Sequence, residues 1–243
     1  MSDSVVIIPT YNELENIEKM IRKVISLSEP IDILIVDDNS PDGTASVVQG
    51  LQKEFQERLF LLQRPGKQGL GTAYVQGFHW AIERRYQFII EMDADFSHNP
   101  DDLPRLINAC KRDNNDVAIG SRYITGVNVV NWPMSRVLLS YFASKYVRLV
   151  TGMKIQDTTA GFVCYKIQVL ETILREPVRF VGYAFQIEMK FKAWKYGYRL
   201  VEEPIIFTER AAGTSKMSGK IVREAILGVL QLKFFSYFRK WEK

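Results

Sequence analysis

The sequence is poor in the side chains that most site chemistry draws on. Of 243 residues two are cysteine and two are histidine. Cys110 and Cys164 sit in separate hydrophobic contexts, which excludes a disulfide scaffold and a cysteine zinc site. They read as buried free thiols of a reducing compartment. Long apolar runs are missing too. The longest stretch without Asp, Glu, Lys or Arg is Gln68–Ile82, 15 residues that include three glycines, two glutamines and a histidine, so no transmembrane helix is expected. The chain enters Ser4-Val5-Val6-Ile7-Ile8 without a basic stretch and longer apolar core, so no secretory signal is expected. Neither glycine-rich phosphate loop is present, and Gly66-Lys67-Gln68-Gly69-Leu70-Gly71 has the wrong order. That argues against a dinucleotide dehydrogenase and a P-loop NTPase. With no Pro/Ser/Gly linker and no internal repeat, residues 1–219 read as one domain and 220–243 as a terminal helical segment.

What remains is an ordinary globular composition, 47% hydrophobic and 25% charged, on a chain long enough to bury a substantial core. The net charge of +4 is uneven. Residues 210–243 hold eight Lys/Arg against two Asp/Glu, which leaves the rest slightly acidic. A basic end points to an anionic contact: nucleotide phosphates, lipid head groups or nucleic acid. The alternative is a solvated helix carrying a few lysines. Nucleic acid is disfavoured, because the basic residues are few and no recognition motif accompanies them.

The first half alternates in period. Apolar runs at Ser4–Ile8, Ile31–Val36, Leu59–Leu62, Phe88–Met92 and Val117–Gly120 read as buried strands. Between them, Leu14, Ile17, Met20, Ile21, Val24 and Ile25 fall at helical spacing, Thr44 opens a helix with Val47, Val48, Leu51 and Phe55 inward, and Gly71–Arg84 and Leu103–Asp113 read as helices. This rhythm predicts a doubly wound, mostly parallel α/β sheet with helices on both faces. The second half is less regular: helices over Ser135–Val150, Phe185–Tyr196 and Ile221–Trp241, strands over Phe162–Lys166 and Arg199–Glu203, the latter stopped by Pro204, and a polar loop over Arg210–Gly219.

Ligands of such sheets bind beyond the carboxyl ends of the strands. The strand ends here lead into Pro9-Thr10-Tyr11-Asn12-Glu13, Asp37-Asp38-Asn39-Ser40-Pro41-Asp42-Gly43, Asp93-Ala94-Asp95-Phe96-Ser97 and Ser121-Arg122-Tyr123. Acidic residues often only cap helices and fill turns, yet four such ends meet on one edge. Asp93 and Asp95, two residues apart at a strand tip, offer hard oxygen donors for Mg²⁺ or Mn²⁺, which complete their shells with water and phosphate oxygens. A cation there stabilises a departing pyrophosphate.

These motifs, with Val36-Asp37-Asp38 and Met92-Asp93-Ala94-Asp95, resemble inverting glycosyltransferases of family 2, which have the Rossmann-like GT-A fold. More narrowly, Asp93-Ala94-Asp95-Phe96-Ser97-His98-Asn99-Pro100, Gly120-Ser121-Arg122-Tyr123 and Asp157-Thr158-Thr159-Ala160-Gly161-Phe162 are similar to the dolichol-phosphate (polyprenol-phosphate) mannosyltransferases, over Val5 to Lys216. The resemblance implies transfer of mannose from GDP-mannose to a polyprenyl or dolichyl phosphate. It implies that residues 1–219 are the catalytic domain, with Pro9, Tyr11, Glu13, Val36 and Asp38 around the nucleoside. Asp93, Ala94 and Asp95 would hold ribose, metal and diphosphate, and Arg210 and Lys216 would clamp the diphosphate. Arg122, Arg136 and Ser140 would receive the acceptor phosphate, Arg122 also reaching the donor nucleotide, with Asp95, Arg122 and Arg136 the catalytic set. Ser97 stands where some relatives carry a metal-ligating Gln, which leaves that position to water. The resemblance also implies peripheral attachment at the cytoplasmic face of a membrane, in some organisms with a separate membrane subunit.

A phosphate monoester is already anionic at neutral pH and needs no general base. That agrees with the scarcity of bases: His79, between Phe78 and Trp80, reads as packing, and His98 follows the acidic pair. Inversion by single displacement is expected. Either arginine also has a plain alternative, an ion pair with a carboxylate; on the phosphate reading, Arg122→Ala costs turnover and little stability. The terminal apolar residues, Ile221 to Trp241, spread over most faces and suit either a membrane interface or packing. Rival readings are another donor, such as UDP-glucose; a hydroxyl acceptor, whose carboxylate base is not evident because Glu188 reads as scaffold; and a catalytically silent binding module.

Overall fold

The computed structural model describes residues 2–112, 114–209 and 219–242. The five apolar runs form strands β1 (Ser4–Thr10), β2 (Asp32–Asp37), β3 (Leu59–Gln63), β4 (Phe88–Glu91) and β5 (Val117–Ser121). The amphipathic runs between them form α1 (Leu14–Ile25), α2 (Thr44–Gln52), α3 (Leu70–Glu83) and α4 (Leu103–Lys111). Successive side chains of a strand face opposite layers. Val5 and Ile7 therefore join one core with Tyr74 and Phe78 of α3, while Val6 and Ile8 join another with Ile17 and Met20 of α1. Each such side chain, fully buried, contributes about 1.5–3 kcal/mol. The helix α3 lies tight on β1 because Gly77 lacks a side chain; a Cβ there would stand 2.7 Å from Ile7 Cγ2.

The second half completes the sheet with β7 (Val163–Lys166) and β8 (Leu200–Pro204), and adds α5 (Met134–Thr151), α6 (Ile167–Ile173), α7 (Tyr183–Lys195), α8 (Gly219–Ser236) and a small parallel pair, β6 (Val129–Val130) with β9 (Phe207–Thr208). The strand order is β3-β2-β1-β4-β7-β5-β8. All neighbours are parallel except β7, which runs antiparallel to both β4 and β5. Four elements, α6, β6, β9 and a single 3-10 turn at Pro100–Asp102, are not foreseen from sequence; each is too short to show a period. Pro204 ends β8 from within, at the edge of the sheet, and does not stop the strand before it. The expected packing role of His79 is corrected: its side chain is exposed on the outside of α3. Cys110 and Cys164 are fully buried free thiols, the first donating to the carbonyl of the second at 3.4 Å.

The reversal of β7 matters most for the site. A strand running against its neighbours begins where they end, so the segment before it, Asp157 to Gly161, arrives at the same edge as the tips of β4 and β5. The last helix ends five residues before the expected Trp241. That indole folds back onto the helix, donating to the Ser236 carbonyl at 3.1 Å and packing its rings on Phe191 and Tyr196. One face of α8 is core, through Val229 and Leu232, and the other is open.

Candidate active site

At the tips of β1 and β2 the chain turns through left-handed residues, Asn12 at φ 61° and Asn39 at φ 57°. Asparagine tolerates this region better than most side chains. The two loops are laced together. Asp37 accepts from the Thr10 hydroxyl at 2.8 Å and from the Ser40 hydroxyl at 2.6 Å, and the amides of Asn12, Glu13 and Leu14 donate to Ser40, Thr44 and Asp42. Pro9 is half-buried, Tyr11 is exposed with the Lys67 ammonium 4.5 Å from its ring centre, and Glu13 accepts from the Asn16 amide. Asp38 is buried against the Arg64 guanidinium at 2.9 Å, and burial raises its carboxyl above the ordinary value in spite of that cation. Val36 is set between Pro9 and Leu62 in the sheet with its side chain wholly in the core, so it offers no side chain to a nucleoside.

Beyond β4, Asp93 keeps its side chain partly exposed while Ala94 and Asp95 are buried. The Asp95 carboxylate turns back to accept the Ser97 amide at 3.0 Å, closing a turn whose middle residue, Phe96, is left-handed at φ 59°. A bulky residue costs roughly 1–3 kcal/mol in that region and persists only where its surroundings impose it. His98 imposes part of this. Its Nδ1 accepts the Asp93 amide at 3.2 Å, and its ring stacks on Phe162 and meets Phe207 edge-on. Burial pulls the His98 pKa down to about 4, so the ring is neutral at pH 7 with its proton on Nε2. Among the described residues no cluster of three or more His, Cys, Asp or Glu is placed to hold a metal. A two-carboxylate donor set fits a hard divalent cation that keeps water and phosphate oxygens, and does not fit a closed zinc cage. The Ser97 hydroxyl is buried without a hydrogen-bond partner.

Across the edge, Arg122 follows β5 and is buried. Its Nε and Nη2 donate to the two oxygens of Asp157 at 2.7 Å each, its backbone amide donates to the same carboxylate at 3.0 Å, and Nη2 reaches Thr159 Oγ1 at 2.8 Å. Burial alone would raise the Asp157 carboxyl; the charge and hydrogen bonds of Arg122 outweigh it and hold the group below the usual range. The ion-pair alternative is thus realised for Arg122. Arg136, in the first turn of α5, pairs with Glu209 at 2.8 Å and lies 4.1 Å over the Trp132 ring, on which Arg122 also rests at 5.6 Å. One indole therefore gathers both predicted arginines. Ser140 lies one turn further along α5, beside the Tyr123 phenol. Phe207 touches both His98 and Arg122, and the Thr208 amide donates to the Ser97 carbonyl at 3.3 Å. The small β6–β9 pair thus joins the acidic loop to the arginine side. Arg210 and Lys216 lie outside the described residues.

The structure brings Asp93, Asp95, Arg122 and Arg136 to one edge. It adds two side chains to which sequence reasoning gave no role, Asp157 and Arg64. Asp157 stands in a polar run just before an apolar strand, but only the direction of β7 reveals that this run reaches the site.

Comparison with known proteins places this arrangement. The chain is 45% identical over 228 residues to polyprenol monophosphomannose synthase of Mycolicibacterium smegmatis, covering 94% of this chain and 86% of that protein. It is 42% identical over 236 residues to undecaprenyl-phosphate mannosyltransferase of Micrococcus luteus, covering 97% and 95%. Its fold is similar to that of glucosyl-3-phosphoglycerate synthase from Mycobacterium tuberculosis, solved with Mn²⁺, UDP and glucosyl-3-phosphoglycerate, with a TM-score of 0.70 at 14% identity over 95% of this chain and 79% of that one. That likeness confirms the GT-A-type sheet with helices on both faces. Residues 5–174, which run from β1 past the Asp-Ala-Asp turn and the Asp157 loop, match Glycosyl transferase family 2, and the chain belongs to that family of glycosyltransferases.

Proposed function

We propose that this chain transfers mannose from GDP-mannose to a polyprenyl phosphate of the dolichyl type, with inversion at C1. The observation that carries the reading is the pairing, on one sheet edge, of two carboxylates at the tip of β4 with two arginines, while among the described residues the neighbouring carboxylates Asp157 and Glu209 are held by those arginines. His98 is buried and neutral, and Asp157 is bound on both oxygens by Arg122. A hydroxyl acceptor needs a base and a phosphate does not. The names of both relatives support a polyprenyl phosphate acceptor and a mannosyl donor.

In the proposed reaction an oxygen of the acceptor phosphate forms its bond to C1 as the C1–oxygen bond to the nucleoside diphosphate breaks on the opposite face. No proton has to move, and an α-linked donor gives a β-linked mannosyl phosphate. Mg²⁺ or Mn²⁺ held by Asp93 and Asp95 would neutralise charge on the departing diphosphate. Tyr11, Glu13 and Asp38 line the nucleoside side. Arg136 is the more accessible arginine, its side chain 18% exposed and its partner Glu209 32% exposed. It exchanges Glu209 for the acceptor phosphate at the first turn of α5, where the helix dipole also favours an anion. Arg122 and its carboxylate keep the wall of the site in place and bear on the same phosphate. Ser140 adds a hydroxyl. Arg210 and Lys216 close the set on the diphosphate.

The test is incubation with GDP-mannose, Mg²⁺ or Mn²⁺ and a short polyprenyl phosphate. A mannolipid of β configuration is expected, with GDP and not UDP as the effective competitor. A covalent mannosyl-enzyme, or preference for UDP, would sink the reading.

The lipid acceptor calls for a membrane surface, and the same end of the molecule offers one. Met134, Leu138, Phe142 and Leu149 on α5 and Ile226, Leu230 and Phe234 on α8, with Phe238 just beyond it, are exposed. Among the described residues no helix is long and apolar enough to cross a membrane. We read these faces as lying in the interface of the cytoplasmic leaflet, with exposed cations such as Lys145 and Lys240 toward head groups. A separate membrane subunit is compatible with the same faces. Replacing Leu230, Phe234 and Phe238 together by Gln is expected to abolish flotation with anionic liposomes and to leave the melting temperature nearly unchanged, since exposed positions seldom alter stability by more than about 0.5 kcal/mol.

A further inference from the structure

Helix α7 carries an unusual buried load. Gln186, Glu188, Lys190 and Lys192 are all buried, Glu188 and Lys190 completely. They divide by helical spacing into two groups. Glu188 and Lys192 pair with each other at 2.9 Å and fasten the preceding segment, Glu188 taking the amides of Arg179 and Phe180 and Lys192 donating to the Pro177 carbonyl. Gln186 and Lys190 point the other way, into the space beneath the sheet edge. Lys190 Nζ donates to the Ala160 carbonyl at 2.7 Å, to the Gln186 carbonyl at 2.8 Å and to Gln186 Oε1 at 3.3 Å. Three oxygens around one nitrogen match the three N–H bonds of an ammonium. Gln186 in turn donates through Nε2 to Glu91 Oε2 at 2.7 Å. Glu91 is the last residue of β4, two before Asp93, and is itself fully buried.

The ends of this chain of contacts are the two limbs of the site. Ala160 belongs to the same five-residue segment as Asp157 and Thr159, which grip Arg122. Glu91 is the root of the Asp93–Asp95 turn. A buried charge is expensive unless compensated, and a hydrophobic pair of the same size serves folding as well or better. Stability alone therefore gives no reason to place Glu91 and Lys190 here; a carbonyl that must be held at a set height above the sheet does. We infer that Lys190, with Gln186 and Glu91, is a positioning device that fixes the Asp157–Gly161 segment, and through it Arg122, relative to the metal-binding turn on β4. The inference rests on the mannosyl-transfer reading of the same site and adds residues that never touch substrate.

Burial presses both groups toward their neutral forms, and the charge of each opposes this for the other. Glu91 and Lys190 carry no net charge together, whether both are ionised or both neutral. This suggests a variant that keeps the charge balance and breaks the hold on Ala160: Lys190→Met combined with Glu91→Gln, in which the new amide can still accept from Gln186.

The experiment compares the full-length wild type, Lys190→Met, the double variant and Lys192→Met. Lys190→Met alone is expected to melt several degrees lower, because Glu91 loses its counter-charge, and the double variant to regain most of that loss. In the double variant kcat for mannosyl transfer is expected to fall roughly 10- to 100-fold, as when supporting groups of a site are removed, with KM for GDP-mannose within about threefold of wild type. Amide hydrogen exchange over residues 157–162 is expected to quicken about tenfold or more while the rest of the sheet is unmoved. Lys192→Met is expected to lower the melting temperature and leave kcat alone. A double variant with wild-type kcat and unchanged exchange over 157–162 would overturn the inference. Should that variant not fold, Gln186→Ala, which cuts the link between Lys190 and Glu91, is read for the same two quantities against the same criterion. If the wild type itself transfers no mannose, the functional reading falls, and the exchange measurement alone decides on the positioning device.

Discussion

Asp95→Asn is expected to reduce mannosyl transfer by about 10³-fold, the scale set by removing one preorganised group that stabilises developing charge. The substitution is well matched to its purpose. Asp95 uses one oxygen to accept the Ser97 amide at 3.0 Å and so holds the turn around Phe96. Asparagine keeps a carbonyl oxygen for that bond, loses the charge and turns the second acceptor oxygen into an amide donor. The fold should survive, with a stability change within about 1 kcal/mol, the net worth of an ordinary hydrogen bond. The loss should therefore appear in turnover and in Mn²⁺ affinity, read by Mn²⁺ resonance in the absence of donor, and not in the melting curve. Chelation of divalent metal should silence the wild type, and added Mn²⁺ or Mg²⁺ should restore it. Asp95→Asn turning over at more than about a third of the wild-type rate, far above the loss expected for such a group, would remove the basis for a metal-held diphosphate at this strand tip.

The second large effect concerns Arg122, and here the geometry revises the expectation drawn from sequence. An arginine waiting for a phosphate can be replaced at little cost to folding. Arg122 instead closes a bidentate pair with Asp157, which is fully buried. Arg122→Ala strands that carboxylate, and stranding a buried partner typically costs about 3–5 kcal/mol. The variant should be both inactive and markedly less stable in urea at pH 7.

The pH dependence separates this from generic damage. In the wild type the Asp157 pKa lies below its unfolded value of about 3.9, so its stabilisation is complete above that pH and is lost as pH falls through the lower folded value. Without the Arg122 guanidinium, burial is opposed only by the amide of residue 122, the Thr159 hydroxyl and the Lys190 charge, and the folded pKa is expected to rise above the unfolded one. Stability relative to wild type then improves as the pH is lowered and Asp157 takes up a proton in the folded state. The deficit of Arg122→Ala should thus be smaller at pH 5 than at pH 7. An equal deficit at both would mean that the carboxylate is not the source of the loss. Arg122→Lys, which keeps the charge but not the two-pronged geometry, should fall between the two.

The layered sheet is legible in the amino-acid order alone. The continuous apolar runs mark strands covered on both faces and the period of 3.6 marks the buried side of each helix, and β1 to β5 and α1 to α4 follow directly. The same order also sets the contents of the strand tips: Asp38, Asp93, Asp95 and Arg122 stand at the ends of buried runs, and a parallel sheet has one edge where such ends meet. Tertiary structure decided the rest. No local pattern reports the direction of a four-residue strand, so the reversal of β7, and with it the arrival of Asp157 beside Arg122, depends on the path of the chain through α5. Side-chain partners far apart in sequence are equally silent. Arg136 with Glu209, Arg64 with Asp38, and Lys190 with the Ala160 carbonyl are pairings across the fold. Val36 shows the limit from the other side, a motif residue at the right strand whose side chain the packing keeps in the core. Periodicity records burial, which is a property of one segment; the chemistry of this site is set by which segments meet, and that is fixed only when the sheet closes.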